Sequence, residues 1–414
     1  MTVAPLLVRN LRTATADHPV DILIEGGRIS SIAPSGQQAV PDGVQSEDGR
    51  GALALPGLVD AHCHLDKTLW GGPWVPHSAG PALTDRISNG EARRKELGLP
   101  SGENMRALLT QMASAGTTAV RTHTDVDPDV GLKGVEAVFD VAATMAGTVE
   151  VQQVAFPQGG ILTRPGTARL LEEALKLGVP TIGGLDPSAV DRDAVEHLDL
   201  VFGLAAQYGA GIDIHLHERG TLGAHTMELV IERTARHGMQ GKVALSHAVA
   251  IVDIEQAAGD RLAEGLAQSG ISLITATVYN TPVMPVSRLM GLGVNVASGN
   301  DGIRDLWGPY GSGDMLERVH HLAYRNGFRR DAQIEVALET ATVGGARALG
   351  LAERALVVGA PADFFVVDVP VPAAAVVCRP PRLLVVKGGR VVARDGRIEA
   401  GAGSSALAAG HSPP

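Results

Sequence analysis

The architecture of this chain is indicated first by residues 55–67, which read LPGLVDAHCHLDK. The apolar residues before the histidines are typical of a buried strand, and His62 and His64 stand two positions apart where that strand ends. Side chains along a strand repeat every two residues, so both imidazole rings project from the same face of the sheet. This stretch therefore predicts half of a metal site at the carboxyl end of a strand.

Three later segments also read as a short apolar strand that ends in a side chain able to bind a metal. They are IDIHLHE at residues 212–218, VALSH at residues 243–247 and VNVASGND at residues 294–301. The segments between them are long enough for crossover helices, which indicates parallel βα units. A (β/α)8 barrel collects the carboxyl ends of its strands at one face, where the active sites of that fold lie. We therefore predict an α/β fold of this TIM-barrel type.

Two segments near opposite ends of the chain have the pattern of a β-hairpin. Residues 20–32, VDILIEGGRISSI, alternate around a Gly-Gly turn, and residues 383–393, LLVVKGGRVVA, repeat Gly-Gly-Arg after an apolar strand. We expect the two chain ends to pair in one small β-sandwich beside the barrel. The predicted units are a sandwich of residues 1–55 and 354–400, a barrel of residues 56–353, and a disordered tail of residues 401–414.

The composition excludes several classes of partner. The 414 residues are 45% hydrophobic, enough for a large core, and the formal charge of −10 argues against nucleic acid or an anionic membrane as partner. Two cysteines, Cys63 and Cys378, provide no disulfide framework. The amino terminus lacks the pattern of a signal peptide, and no apolar stretch reaches the roughly 20 residues of a membrane span. We expect a soluble cytoplasmic protein.

The polar strand ends offer a ligand set for one divalent metal ion. His62, His64, His215 and Asp301 supply imidazole nitrogens and a carboxylate oxygen, which suit Zn²⁺ or Fe²⁺ and leave room for a bound water. A metal ion in such a site turns water into a nucleophile near neutral pH. The donor set does not discriminate between the two metals, because the same ligands serve both.

Three side chains are placed to assist catalysis beside this ligand set. Glu218 follows His215 by three residues, where its carboxylate could reach the water or a ring nitrogen of a substrate. Asp301 could accept a proton with the oxygen that does not bind the metal. His247 could stabilise the charge that develops on the oxygen of the attacked carbon.

Three other polar residues near these strand ends are not predicted to bind the metal. We expect His217 to point to the opposite side from His215, and we do not propose it as a ligand. His123 and Asp125 end another apparent strand, and we expect them to support the metal ligands from behind.

Four blocks of the chain together resemble the amidohydrolase superfamily, and within it the cytosine deaminase branch. The blocks are HCHLDK at residues 62–67, RTHTDV at 121–126, VAFPQGGIL at 154–162, and Asp301 followed by DLWGPYG at 305–311. The resemblance extends over nearly the whole chain, including a flanking sandwich formed by both ends. It implies a hydrolase that acts on carbon–nitrogen bonds of small cyclic molecules and that commonly associates as a homo-oligomer.

The resemblance also implies roles for individual residues. His62, His64, His215 and Asp301 would hold one metal ion, as the strand ends also indicate. Glu218 would carry protons to the ring nitrogen and the leaving ammonia, and His247 would assist at the hydrated carbon. Gln158 would read a ring carbonyl and the adjacent N–H, because one amide supplies both an acceptor and a donor. Trp307 would form a wall against the ring.

Two departures from the cytosine deaminase pattern concern the substrate. That enzyme has a second Asp directly after the metal aspartate, where this chain has Gly302. We expect the missing carboxylate to leave room for a bulkier or N-substituted ring. The second departure is Leu216-His217 before Glu218, where the deaminase has Cys-Asp. Cytosine itself therefore does not follow as the substrate.

The leading hypothesis is a metal-dependent aminohydrolase that removes an exocyclic amino group from a small nitrogen heterocycle. The alternative is an amine hydrolase that releases an alkylamine from an N-substituted triazine-like ring. A binuclear cyclic amidase is disfavoured, because TIGGLD at residues 181–186 has no lysine to form a carbamate bridge. The zinc deaminases with a Pro-Cys-x-x-Cys motif are excluded by the cysteine count. A catalytically silent metal-binding scaffold is disfavoured by the presence of Glu218, His247 and Asp301.

Overall fold

The computed structural model describes residues 4–40 and 43–399, beginning with a small four-stranded sheet. The strands before the histidine pair are β1 (Leu6–Leu11), β2 (Val20–Glu25), β3 (Arg28–Pro34), β4 (Gln45–Asp48) and β5 (Leu53–Pro56). β2 and β3 form the predicted hairpin around Gly26 and Gly27. These glycines have φ of 57° and 78°, a left-handed conformation that costs glycine little because it lacks a Cβ. β5 is not part of this sheet and belongs to a second one described below.

Eight parallel strands form the predicted barrel and follow one another around it in chain order. They are β6 (Leu58–Cys63), β7 (Thr117–Asp125), β8 (Glu150–Phe156), β9 (Thr181–Leu185), β10 (Gly211–Leu216), β11 (Val243–His247), β12 (Ser272–Thr275) and β13 (Val296–Ser298). The last strand returns to the first, because Asp301 bridges Cys63 and its backbone N donates to the carbonyl O of His62 at 2.8 Å. This contact brings the first and last predicted metal ligands side by side.

Among the described residues, eight α-helices lie between consecutive barrel strands and four follow the last barrel strand. They are α1 (Leu83–Arg94), α2 (Gly102–Ser114), α3 (Lys133–Thr144), α4 (Thr167–Lys176), α5 (Ala194–Tyr208), α6 (Gly220–Arg236), α7 (Gln256–Gln268), α8 (Val286–Gly291), α9 (Met315–Arg325), α10 (Asp331–Thr340), α11 (Val343–Ala348) and α12 (Pro372–Cys378). Local sequence accounts for several boundaries. α5 begins after Asp193, whose side chain accepts from the backbone N of Glu196, and ends at Gly209 with φ of 66°.

The interior of the barrel is divided into an apolar layer and a polar layer. Small apolar side chains, among them Val59, Ala119 and Ala244, pack together in the apolar layer. All nine residues of β7 are buried, as expected for a parallel strand covered on both faces. Charged side chains such as Arg121 and Asp213 are buried within the strands and form an ion pair at 3.1 Å. Toward the carboxyl ends, the polar layer continues into the histidine cluster.

The two ends of the described chain meet in a sandwich, as predicted. β14 (Phe364–Val367), β15 (Leu384–Lys387), β16 (Arg390–Arg394) and β17 (Arg397–Ile398) form a five-stranded antiparallel sheet with β5. One apolar cluster joins both sheets and includes Val8 and Ile22 with Phe364, Val366 and Val386. The proposed domain boundaries stay predictions, and the tail predicted for residues 401–414 lies outside the described residues.

Two further sequence-based expectations concern cysteines and membranes. Cys63 is buried, Cys378 is exposed, and neither forms a disulfide. Among the described residues, every helix is too short or too polar to span a membrane. The cytoplasmic location and the homo-oligomeric state stay predictions.

Candidate active site

The structure brings the four predicted metal ligands together at the carboxyl ends of the barrel strands. Nε2 of His64 lies 3.3 Å from Oδ1 of Asp301, and Nε2 of His62 lies 3.6 Å from the same oxygen. The ring centre of His215 is 4.5 Å from that of His62 and 5.4 Å from that of His64. The convergence follows from the fold, since β6, β10 and β13 all end at the same face.

The histidine cluster contains buried nitrogens with no hydrogen-bond partner among the described residues. They include Nε2 of His62, both ring nitrogens of His215 and Nε2 of His247. Buried polar atoms in proteins are almost always paired, so a convergent set of unpaired nitrogens is what a cation-binding site would present. His62 and Asp301 occur in sets of ligand atoms that lie within 4.8 Å of one another. The residues therefore fit one divalent metal ion.

The protonation states of the cluster also suit a metal. Burial, reinforced by the nearby Lys67, lowers the pKa of His64 to about 4. Burial and neighbouring histidines lower the pKa of His215 well below its usual value. Burial opposes ionisation of Asp301, but contacts with His62 and His64 outweigh it and hold the pKa of this carboxyl well below its ordinary range. Neutral imidazoles and an ionised carboxylate are the forms that bind metals.

Hydrogen bonds orient two of the predicted ligands, His62 and His64, so that Nε2 of each ring faces Asp301. Nδ1 of His64 lies 3.0 Å from the carbonyl O of His123, so this nitrogen donates its proton. Nδ1 of His62 lies 2.9 Å from Oγ of Ser246, and that hydroxyl donates to Oδ1 of Asp213 at 2.7 Å. In both histidines Nε2 therefore carries the lone pair. Of the two residues predicted to support the ligands, His123 contacts a ligand through its backbone.

Two of the predicted site residues have an unusual backbone conformation. His247 and Asp301 have φ of 70° and 62°, in the left-handed region that residues other than glycine rarely adopt. Such conformations carry a cost and cluster at functional sites. Each residue ends a barrel strand or lies just beyond one, where the chain turns sharply into a loop.

His217 lies in the cavity next to His215, and the expectation that it points away is wrong. The ring centres of His215 and His217 are 5.8 Å apart. Both side chains face the same side, because residues two positions apart on an extended chain do so. The ring of His217 also stacks on that of His247, with centres 4.5 Å apart. Nδ1 of His217 lies 2.9 Å from Oδ2 of Asp186. Burial disfavours the charged ring, but this contact outweighs it and raises the pKa of His217.

Glu218 is buried beside the cavity, and its carboxylate is occupied by contacts within the protein. Oε1 accepts from the backbone N of Ser188 at 2.6 Å and of Ala189 at 3.0 Å. Oε2 accepts from Oγ1 of Thr226 at 2.5 Å. These bonds tie the loop after β9 to α6, and Glu218 does not line the cavity. Its role in proton transfer stays a prediction.

Three of the four predicted metal ligands, His64, His215 and Asp301, border a cavity of about 680 Å³ that is large enough for a substituted heterocycle. Residues from several loops line it beside the histidines, among them Lys67, Gln158, Tyr279, Asp301, Asp305, Trp307 and Tyr310. Both predicted substrate-binding residues, Gln158 and Trp307, are thus on its wall. The predicted metal ligand His62 lies behind this surface and is 1% exposed.

Lys67 is a site residue to which the sequence analysis gave no role. Its Nζ forms an ion pair with Oδ1 of Asp125 at 2.8 Å and donates to Oε1 of Gln158 at 2.5 Å. The ammonium also lies 5.2 Å from the ring centre of Phe156 and 5.8 Å from that of Trp307. Because Oε1 of Gln158 is occupied, the amide has its Nε2 donor left for a ligand. The position of Lys67 three residues after His64 was the available signal.

Comparisons with known proteins identify similar proteins over most of this chain. Residues 102–393 match the profile of the amidohydrolase family. The chain is 31% identical to N-isopropylammelide isopropyl amidohydrolase of Pseudomonas sp. (strain ADP) over 404 residues, covering 94% of this chain and 97% of the relative.

Two solved structures are similar over almost the whole chain. N-isopropylammelide isopropylaminohydrolase from Burkholderia multivorans ATCC 17616 is 47% identical, with a TM-score of 0.92 and coverage of 96% of this chain and 100% of that one. 5-Methylcytosine deaminase from Klebsiella pneumoniae, liganded with 5-fluorocytosine, is 26% identical, with a TM-score of 0.82 and coverage of 94% and 97%.

Proposed function

This chain belongs to the amidohydrolase family, and we propose that it releases an amine from an N-substituted, triazine-like ring by metal-dependent hydrolysis. The observation that carries the hydrolytic reaction is the convergence of His62, His64, His215 and Asp301, with unpaired histidine nitrogens among them. Release of an alkylamine is favoured by the likeness to the two proteins named for N-isopropylammelide. Deamination of a cytosine-like ring is the second candidate. It is supported by the likeness to 5-methylcytosine deaminase.

We propose that His62, His64, His215 and Asp301 hold one Zn²⁺ or Fe²⁺ ion. A metal bound there would supply a water nucleophile near neutral pH. The hydrogen bonds from His62 to Ser246 and from His64 to the His123 carbonyl keep each ring in the tautomer that can act as a ligand.

Several side chains are proposed to handle protons at the reacting carbon. Asp301 would accept a proton with one carboxylate oxygen, and His247, with an unpaired buried Nε2, would stabilise charge on the attacked carbon's oxygen. Glu218 was predicted to protonate the leaving amine, but it would first have to release its present partners. His217 is the alternative proton carrier, because it lies in the cavity and its pairing with Asp186 favours the imidazolium.

The donors in the cavity favour a ring with carbonyl oxygens. Lys67 and Nε2 of Gln158 both offer N–H groups, while Phe156 and Trp307 provide aromatic surface near the Lys67 ammonium. Two neighbouring donors match a ring that carries two oxygen substituents, such as an N-alkylated ammelide, better than cytosine, which has one. A carbamate-bridged cyclic amidase is not proposed, because β9 is followed by Asp186 rather than a lysine.

The test is amine release by metal-loaded protein from a panel of rings. The panel contains cytosine, isocytosine, creatinine, ammelide and N-alkylated ammelides, with Asp301→Asn as the inactive control. Alkylamine from the alkylated ammelides supports the proposal. Ammonia from cytosine or isocytosine alone would support the second candidate instead, and no amine from any ring would reject both.

A further inference from the structure

The carboxylate of Asp305 occupies the space beside Gly302. A Cβ atom built at Gly302 would lie 2.2 Å from Oδ2 and 2.9 Å from Cγ of Asp305, which is closer than any real contact. Any larger residue at position 302 would therefore force the Asp305 carboxylate to move. The expectation that Gly302 leaves open room for a bulkier ring does not hold at this point of the cavity, because Asp305 fills it.

The Asp305 side chain is fixed through one of its two oxygens. Oδ1 accepts from the backbone N of Trp307 at 2.8 Å and of Gly308 at 3.0 Å. The backbone of Asp305 is held as well, since its N donates to the carbonyl of Gly308 and its carbonyl O lies 2.7 Å from Nε2 of His77. The direction of the carboxylate is thus determined by the protein before any ligand binds.

The second oxygen has no such partner. No hydrogen bond or ion pair from residues 4–40 and 43–399 reaches Oδ2, although Asp305 is only 2% exposed. Asp305 and Gly302 both line the cavity that the metal ligands border. Oδ2 is therefore an acceptor available to a molecule in that cavity.

We propose that Asp305 is a substrate-binding residue whose Oδ2 accepts a hydrogen bond from an N–H on the edge of the heterocycle. This inference rests on the proposed function and specifies which rings the site takes. Lys67 and Gln158 present donors for ring oxygens, whereas Asp305 presents an acceptor. A ring edge with a carbonyl next to an N–H satisfies both kinds of partner, so the site selects heterocycles in the lactam form.

Binding of unreactive rings tests this inference without relying on turnover. Calorimetry on the metal-loaded protein would compare cyanuric acid, which has lactam N–H groups, with its N-trimethyl derivative, which has none. A hydrogen bond to a carboxylate predicts that the wild type prefers cyanuric acid by about 10- to 100-fold. Asp305→Asn should remove most of that preference. A wild type that binds both rings equally, or neither, would overturn the inference, as would an unchanged preference in the variant.

A second variant provides the same test if Asp305→Asn does not fold. Gly302→Ala adds a methyl group where Oδ2 now lies, so it should displace the carboxylate and reduce the same preference. Because both changes act on one contact, the double variant should lose little more than either alone. Additive losses would contradict a shared contact. Asp368→Asn, which neutralises an exposed carboxylate after β14, is the matched control.

The outcome separates this inference from the proposed function. Loss of the preference in both variants, in a protein that releases no amine from any ring, would support the role of Asp305 and reject the proposed reaction. Amine release together with an unchanged preference would support the reaction and reject the role of Asp305.

Discussion

The hydroxyl of Ser246 lies 2.9 Å from Nδ1 of His62, at the back of the proposed metal site. Its own proton is directed to Asp213, whose Oδ1 is 2.7 Å away. Since the hydroxyl donates to the carboxylate, it accepts from His62. A serine on β11 thereby sets the tautomer of a histidine on β6, and Nε2 of His62 is left with its lone pair toward Asp301.

Replacing this serine should weaken metal binding. We expect Ser246→Ala to lower the metal affinity by about 10- to 100-fold, because the orienting partner of a metal ligand is lost. Competition with a chromophoric chelator measures the change. Ser114→Ala is the control, since the Ser114 hydroxyl donates to the carbonyl of Gln111 within its own helix. Equal affinities of the wild type and Ser246→Ala would contradict the role given to Ser246.

Substitutions of His217 and Glu218 distinguish which of the two side chains transfers the proton. If His217 carries the proton, His217→Gln should lower kcat by about 100-fold or more. Glu218→Gln should then mainly lower the melting temperature, because it disturbs the contacts with Ser188 and Thr226. Metal content, kcat and melting temperature are measured for both variants. A large loss of kcat in Glu218→Gln, with activity retained in His217→Gln, would show that Glu218 transfers the proton.

Lys67 should contribute to binding of the ring rather than of the metal. Lys67→Met removes a charged donor and leaves Asp125 without its ion-pair partner. We expect kcat/KM to fall by about 10- to 100-fold, the range for charge-assisted hydrogen bonds, at unchanged metal content. Lys176→Met, at an exposed pair with Glu172 on α4, is the matched control. Loss of metal in Lys67→Met would instead indicate a collapse of the site.

Asp305 should make the stability of the protein depend on pH. Burial, reinforced by the charge of Asp301, raises the pKa of Asp305 from 3.8 to about 6. Between these values the folded protein retains a proton that the unfolded chain releases, so the free energy of unfolding falls as pH rises through this window. The effect is on the order of 3 kcal/mol.

Asp305→Asn lacks this titration and provides the comparison. The free energy of unfolding of the variant, relative to the wild type, should therefore increase between about pH 4 and pH 6 and stay constant above that. Urea denaturation of chelator-treated proteins at several pH values measures the difference. A difference that does not change with pH would show that Asp305 is ionised throughout.

The periodicity of the sequence was sufficient to predict the barrel, and it placed the four proposed metal ligands at strand ends. His62, His64, His215 and Asp301 end or follow apolar strands, and parallel strands of one barrel bring such ends together. The hairpin at Gly26 was equally predictable, because a Gly-Gly turn between alternating strands is a local signal. The direction of His217 was predicted wrongly, although the two-residue repeat of a strand already places it on the side of His215.

The sequence by itself determined which side chains stand at the ends of strands, because strand periodicity and turn residues are properties of neighbouring positions. Only the tertiary structure decided which of their atoms face the cavity. The carboxylate of Glu218 is directed to the loop after β9, Lys67 occupies one side of the Gln158 amide, and Asp305 fills the space beside Gly302. Each of these contacts forms across a loop or between separate elements, and side-chain direction there depends on packing and hydrogen-bond partners that no local pattern specifies.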